Sequence, residues 1–260
     1  MASASAGIPA RKATQAILGE VLRRRRPLDL AFETILGGSG LEPRDAAFAR
    51  AIASETLRRY GQLDDLVRRF VTKLPPPHRA GPTFEILLAG ACELLFLKVP
   101  AHAAVDAANE LAAVDAKALH FKSLINAVLR RVAREGEGVI AAQDAPRLNT
   151  PDWLWTRWCE SFGEETARAI ATAHLVPPPL DLVTKPNAQR LPEGEPLPSG
   201  VVRLREAGRI EDLAGYAEGA WWVQDFAATL PARLLGEVQG RTVIDLCAAP
   251  GGKTDRKSVV

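Results

Sequence analysis

The chain has 260 residues, 47% hydrophobic and 25% charged, an ordinary balance for a folded protein with room for one large domain or two smaller ones with proper cores. No apolar run approaches the roughly 20 residues that span a bilayer, which argues against a membrane protein, and the first residues lack the charged-then-apolar pattern of a secretory leader. The net charge of +2 conceals an asymmetry: residues 1–135 carry 20 Lys and Arg against 14 Asp and Glu, the remainder 13 against 17. A basic first half is compatible with an RNA-binding module. Three cysteines far apart, Cys92, Cys159 and Cys247, suit a reducing cytoplasm rather than a disulfide framework. The four histidines form no metal-spaced cluster.

From Arg11 to about Arg134 the pattern is helical. Apolar residues recur at three and four, as in Ile17 and Val21, in Phe48, Ile52 and Leu57, and in Leu87, Leu88, Leu94 and Leu95. Alanine is abundant, β-branched runs are absent, and the breaks fall at Pro27, Gly37-Gly38, Pro43, Pro75-Pro76-Pro77, Gly81-Pro82 and Pro100. This predicts an all-α bundle of roughly six or seven helices. At the end of the first helix stand Arg23, Arg24, Arg25 and Arg26. Cations there favour the helix C-terminus, but four in succession exceed what capping needs. Contact with RNA phosphates is the sharper alternative.

From Asn149 the composition shifts. Trp153, Trp155 and Trp158 lie in a predicted helix with Thr150 as its N-cap, and the spacing puts Trp155 and Trp158 on one side, as packing residues. A second short helix is expected over Glu164–Leu175, then strands at Leu180–Thr184, Val201–Leu204 and Trp221–Val223 around a Pro-rich loop.

Thr242–Leu246 is a short apolar run, broken by Asp245 and bounded by Gly240 and Pro250, which fits a strand buried in a parallel sheet. Cys247-Ala248-Ala249-Pro250-Gly251-Gly252-Lys253 follows. Small and Cβ-free residues let the backbone turn sharply and bring bare N–H groups to a ligand at the carboxyl end of a strand. A phosphate-binding P-loop needs a Gly five positions before Gly252, where Cys247 stands, and adjacent glycines do not make a G-x-G-x-x-G fingerprint.

Asp245-Leu246-Cys247-Ala248-Ala249-Pro250-Gly251-Gly252-Lys253-Thr254 resembles the first S-adenosylmethionine-binding motif of the Sun/Fmu-type RNA cytosine-C5 methyltransferases, also called rRNA small-subunit methyltransferase B. Gly219-Ala220-Trp221-Trp222-Val223-Gln224-Asp225-Phe226-Ala227-Ala228 resembles the segment that precedes this motif. Leu41–Arg50, Thr56–Gly61, Val99–Val105 and Leu124–Val132 are similar to NusB-like domains, which that family carries ahead of its catalytic domain. The resemblance implies three parts: residues 1–140 a NusB-like helical RNA-binding domain, 141–218 a small mixed α/β subdomain, and 219–260 the first strand and loop of a Rossmann-like methyltransferase domain. It implies S-adenosyl-L-methionine as cofactor, held by Cys247, Ala248, Ala249, Pro250, Gly251, Gly252 and Lys253. Lys253 is then either a cation beside the cofactor carboxylate or a solvated turn residue. Ribosomal RNA is the implied partner, and a cytoplasmic monomer the implied form.

C5 methylation of cytosine needs a thiolate that attacks C6. In the family the cysteines for this lie well downstream of the Gly-rich turn; Cys247 reads instead as a small buried residue at a strand end. Asp255–Val260 offers no apolar helical face, so the natural frame is expected to continue past Thr254, and this chain to be an inactive N-terminal fragment. The rival expectation is a non-catalytic NusB-like adaptor that binds RNA or protein.

Overall fold

Proline opens much of the helical architecture. In the computed structural model, which describes residues 7–205, 208–249 and 251–252, the helices are α1 (Ile8–Leu22), α2 (Leu28–Leu36), α3 (Pro43–Arg58), α4 (Tyr60–Phe70), α5 (Pro77–Ala80), α6 (Thr83–Leu95), α7 (Ala101–Val114), α8 (Lys122–Ala141), α9 (Ala145–Leu148), α10 (Asp152–Phe162) and α11 (Glu164–Ala173). Pro9, Pro43 and Pro77 sit in the first turns of α1, α3 and α5, where a missing N–H costs no hydrogen bond. These helices form one of two compact units; the second begins at Pro177.

The middle of the helical unit is α6. Ten of its thirteen residues are buried, because α1, α3, α4, α7 and α8 all pack on it. A helix covered on every side is apolar all round, and Ile86, Leu87, Leu88, Ala91 and Cys92 meet that demand. Gly90 lets α8 close in, since a Cβ there would stand 2.8 Å from the Leu129 side chain. Two carboxylates are also buried on α6. Glu93 accepts Arg11 through both oxygens at 2.6–3.1 Å, and Glu85 pairs with Arg23 at 2.9 Å. Burial pushes both carboxyls above their ordinary range, while each arginine pulls its partner back. The start of α1 thus meets the end of α6, and the end of α1 meets its start, which sets the two helices antiparallel.

The short helices α9–α11 belong to the same unit and are clamped to α4. Gly61 allows the closest approach: a Cβ there would run into the Leu148 carbonyl oxygen. Beside it Gln62, 1% exposed, donates its backbone N–H to Asn149 Oδ1 at 3.2 Å and its side-chain amide to Gln143 Oε1 at 3.2 Å. Asn149 Nδ2 donates back to Gln62 Oε1 at 2.9 Å, and Arg59 donates to the Leu175 carbonyl at 3.1 Å.

Two expectations for this region are corrected. Thr150 does not cap α10, since Pro151 occupies that position and the Thr150 hydroxyl donates to the Pro146 carbonyl instead. Trp155 and Trp158 are half-buried rather than core: the guanidinium groups of Arg147 and Arg168 each lie over the Trp155 ring, at 5.3 and 5.5 Å, and Trp158 meets His174 edge-on at 5.3 Å.

The second unit holds four antiparallel strands, β1 (Leu180–Thr184), β2 (Glu195–Leu197), β3 (Val201–Leu204) and β4 (Trp221–Val223), in the order β2-β3-β1-β4. The three expected strands are present. The fourth, β2, was hidden by Pro196 in a Pro-rich stretch, and proline is tolerated there because β2 is an edge. Leu182 faces Val202 and Val223 across the sheet, and Asp181 faces Arg203. Leu182, Leu204 and Trp221 make the core of one face, covered by Ala188, Ile210 and Leu213. Helix α12 (Phe226–Leu234) follows β4, capped by Asp225, whose carboxylate accepts the N–H groups of Ala227 and Ala228.

The expected strand at Thr242–Leu246 is not formed, and residues 241–245 have no regular structure. Val243, Ile244 and Leu246 are 52%, 77% and 91% exposed. A parallel strand draws its ladder and its burial from neighbours on both sides, and no described strand forms a ladder with this segment. The small antiparallel sheet is therefore the observed architecture after the helices. Residues 253–260, including the stretch expected to be foreign to the natural frame, lie outside the described residues.

Gly61→Ala tests the clamp. Forcing a methyl group into the Leu148 carbonyl is expected to destabilise the helical unit by about 1–3 kcal/mol, read as a lower urea midpoint by far-ultraviolet circular dichroism.

Candidate functional site

The arginine run comes first in the chain. Helix α1 ends at Leu22, so Arg23 to Arg26 occupy the turn beyond it rather than its last turn. Arg23 is committed to Glu85, and Arg24 and Arg26 both pair with Glu20. Arg25, at a φ of 58°, makes no ion pair among the described residues. Much of the positive charge in this run is already answered by carboxylates of the same unit.

Near the start of α6, beyond α5, other basic residues make no ion pair among the described residues. The single turn Ala118–Phe121 packs against α5 and leads directly into α8. It brings Lys117, His120 and Lys122 to the side of His78 and Arg79, and all five are exposed. A Cβ on Gly81 would lie 3.1 Å from the Lys117 Cβ, which shows how closely the two segments meet. The nearby carboxylate, Asp115, is spent on the N–H groups of Lys117 and Ala118. The sequence gives no run of charge here, because the residues come from two separate stretches, 78–79 and 117–122.

In the second unit Asp181 organises the segment before the Gly-rich turn. Its carboxylate, 4% exposed, accepts Arg203 Nε and Nη2 at 2.7 and 2.8 Å and the Phe226 N–H at 2.9 Å. Its backbone carbonyl accepts the Gln224 N–H at 3.0 Å. The Arg203 guanidinium holds the carboxyl below the usual range; burial opposes this and the Phe226 N–H assists it. Trp221 is buried and donates its indole N–H to the Ala214 carbonyl at 2.8 Å.

The turn itself is described at Cys247, Ala248, Ala249, Gly251 and Gly252; Pro250 and Lys253 lie outside the described residues. Asp245 Oδ1 accepts the Cys247 N–H at 3.0 Å, and the Gly251 N–H reaches the Ala248 carbonyl. Gly251 takes a φ of 103°, a conformation that favours glycine. Cys247 is exposed, not buried as the sequence suggested, because the strand that would have covered it is not formed. A Cβ on Gly252 would stand 3.4 Å from Gln224 Nε2. The turn and the segment 219–228, some twenty residues apart in the chain, therefore meet at Gln224. Two glycines in succession at the end of a tight turn, beside a polar amide, fit the amino-acid end of a nucleoside cofactor. The residues present are compatible with S-adenosylmethionine on that ground.

Residues 8–134 match the NusB family. Ribosomal RNA small subunit methyltransferase B of Xanthomonas campestris pv. campestris is 33% identical over 263 residues, covering 96% of this chain and 59% of that protein. The proteins of the same name from Vibrio cholerae and Pseudomonas putida are 33% and 35% identical, each over 82% of this chain and 52% of their own length. The crystal structure of PH0851 superposes with a TM-score of 0.57 at 19% identity, covering 95% of this chain and 59% of that one, a likeness of fold.

The chain is thus a protein with an N-terminal NusB-family helical domain followed by a small antiparallel sheet. It belongs to the ribosomal RNA small subunit methyltransferase B family, and it spans a little over half the length of these relatives.

Asp181 offers a test in acid. A carboxyl lowered in the folded state contributes fully above its unfolded value, about 3.9, and that contribution disappears as pH falls through the folded value. Amide exchange of β1 is expected to accelerate below about pH 4 in the native chain. Asp181→Asn should exchange faster at pH 7 and change less on acidification.

Proposed function

We propose that this chain contributes RNA docking and the start of the cofactor site to an S-adenosylmethionine-dependent enzyme that methylates a cytosine C5 in small-subunit ribosomal RNA. The observation that carries the proposal is the meeting of the Gly251–Gly252 turn with Gln224, which joins two segments that resemble family motifs. The relatives' names supply the substrate class. In this reading the protein works as a monomer in the cytoplasm. Ala248, Ala249, Gly251 and Gly252, with the flanking Cys247, Pro250 and Lys253, hold the amino-acid end of the cofactor. When bound, the cofactor would supply a methyl group on a sulfonium, ready for a carbon nucleophile.

The nucleophilic thiolate is a separate requirement, and none of the three cysteines suits it. Burial pushes the Cys92 thiol up to about 12, so it stays protonated and inert. Cys159 lies half-buried on α10, and Cys247 belongs to the turn itself. We therefore assign the thiol chemistry to a part of the protein that these 260 residues do not contain. The helical unit, in the same reading, holds rRNA through the end of the bundle made by α5, the Ala118–Phe121 turn and the start of α8, where exposed cations match phosphate charge.

Two measurements test the proposal. Filter binding of small-subunit rRNA at increasing salt should show Lys117→Glu and Lys122→Glu each lowering affinity and reducing the salt slope by about 0.7–0.9. Arg24→Glu should change both much less, and the reverse ranking would return the RNA contact to the arginine run. Incubation with methyl-labelled S-adenosylmethionine and unmodified small-subunit rRNA should give binding without transfer. Methyl incorporation by this chain would overturn the division of labour. Tight RNA binding together with no cofactor binding would favour the adaptor function.

A further inference from the structure

Gln224 stands within the segment that resembles the family, yet nothing so far gives its side chain a task beyond contact. Its backbone is fixed by the Asp181 carbonyl. Its side chain is fixed by Trp222, whose indole N–H lies 3.1 Å from Gln224 Oε1. An indole nitrogen only donates, so the amide oxygen must face Trp222 and the amide nitrogen must face the other way. One of the two N–H groups on Nε2 reaches the Ala228 carbonyl at 3.5 Å. Nε2 is also the Gln224 atom nearest to where a Cβ on Gly252 would stand, at 3.4 Å.

Gly252 keeps that side open. Its backbone is not in the left-handed region, and a Cβ would sit at 3.4–4.0 Å from the Gln224 amide, an ordinary contact distance. Neither strain nor a clash within the described chain demands glycine at this position. A methyl group there would instead cover the spare N–H of Gln224. The absence of a side chain at Gly252 leaves a fixed, half-buried donor uncovered just past the tight turn.

We propose that Gln224 Nε2 is a binding residue that donates a hydrogen bond to the carboxylate at the amino-acid end of the cofactor, and that Gly252 is glycine to admit that carboxylate. This rests on the cofactor reading above and adds to it a residue outside the Gly-rich turn. The donor is held by three bonds to its own unit, so little orientation is lost on binding, and a neutral amide tolerates the ligand's ammonium group nearby.

The test is calorimetric titration of this chain with S-adenosylhomocysteine and with methylthioadenosine, which keeps the adenosine and the sulfur but lacks the amino-acid end. Gln224→Glu preserves the acceptor for Trp222 while replacing the donor by a charge that repels a carboxylate. Gly252→Ala covers the donor without touching it. Each is expected to weaken S-adenosylhomocysteine about tenfold or more, the effect of losing a hydrogen bond to a charged group, and to leave methylthioadenosine within about twofold. Equal weakening of both ligands, or no change in either, overturns the role of Gln224 while leaving the cofactor reading in place. A native chain that binds neither ligand overturns the cofactor reading itself.

Discussion

The helical unit depends on two carboxylates that α6 carries into its interior. Glu85 and Glu93 are 2% and 3% exposed, and ions taken from water so completely need partners of good geometry. Both partners come from the α1 region, Arg11 and Arg23, at opposite ends of the same helix. Slipping α1 along α6 or reversing it would strand at least one buried charge, an error of about 3–5 kcal/mol. The pairs therefore act as a register lock on an interface that apolar contacts alone would leave free to slide. They also explain why a run of four arginines is a poor guide to RNA: its first member is part of that lock, and two others neutralise Glu20.

Buried polar residues with several bonds recur wherever short elements must be held. Gln62 joins α4 to the segment around Asn149, and Gly61 removes the one atom that would keep the chains apart. In the sheet unit Asp181 does the same for β3 and the start of α12. Short helices and three-residue strands bury too little apolar surface to fix their own positions, so a hydrogen-bonded hub supplies the geometry that packing cannot. The functional relevance is direct, because the Asp181 hub places Gln224, and Gln224 meets the turn.

RNA methylation at a base carbon divides into tasks that need different physics. Holding rRNA calls for exposed, unneutralised cations; holding a sulfonium cofactor calls for a turn whose backbone is bare; activating the base calls for a thiolate. In the proposed reading the first two fall to surfaces of this chain, one in each unit. The same reading assigns the third to a part of the protein outside these residues; the Cys92 thiol, pushed up to about 12 by burial, is protonated at neutral pH.

Much was legible in the sequence because it is local chemistry. A helix start at Pro43, the α6 apolar pattern, the strands at Leu180–Thr184 and Val201–Leu204, and the need for residues without a Cβ after Pro250 all follow from residue type and spacing. The NusB-like and methyltransferase-like motifs were legible for the same reason, as contiguous strings. The tertiary structure alone decided what depends on distant partners. Arg23 became the partner of a buried carboxylate because α6 brings Glu85 to it, and three cations and two histidines from two stretches came together because a single turn packs on α5. Thr242–Leu246, apolar and β-branched, stayed out of regular structure because a strand is made by its neighbours. Sequence sets what each segment can do, and only the fold supplies the atoms that complete a charge pair, a ladder or a site.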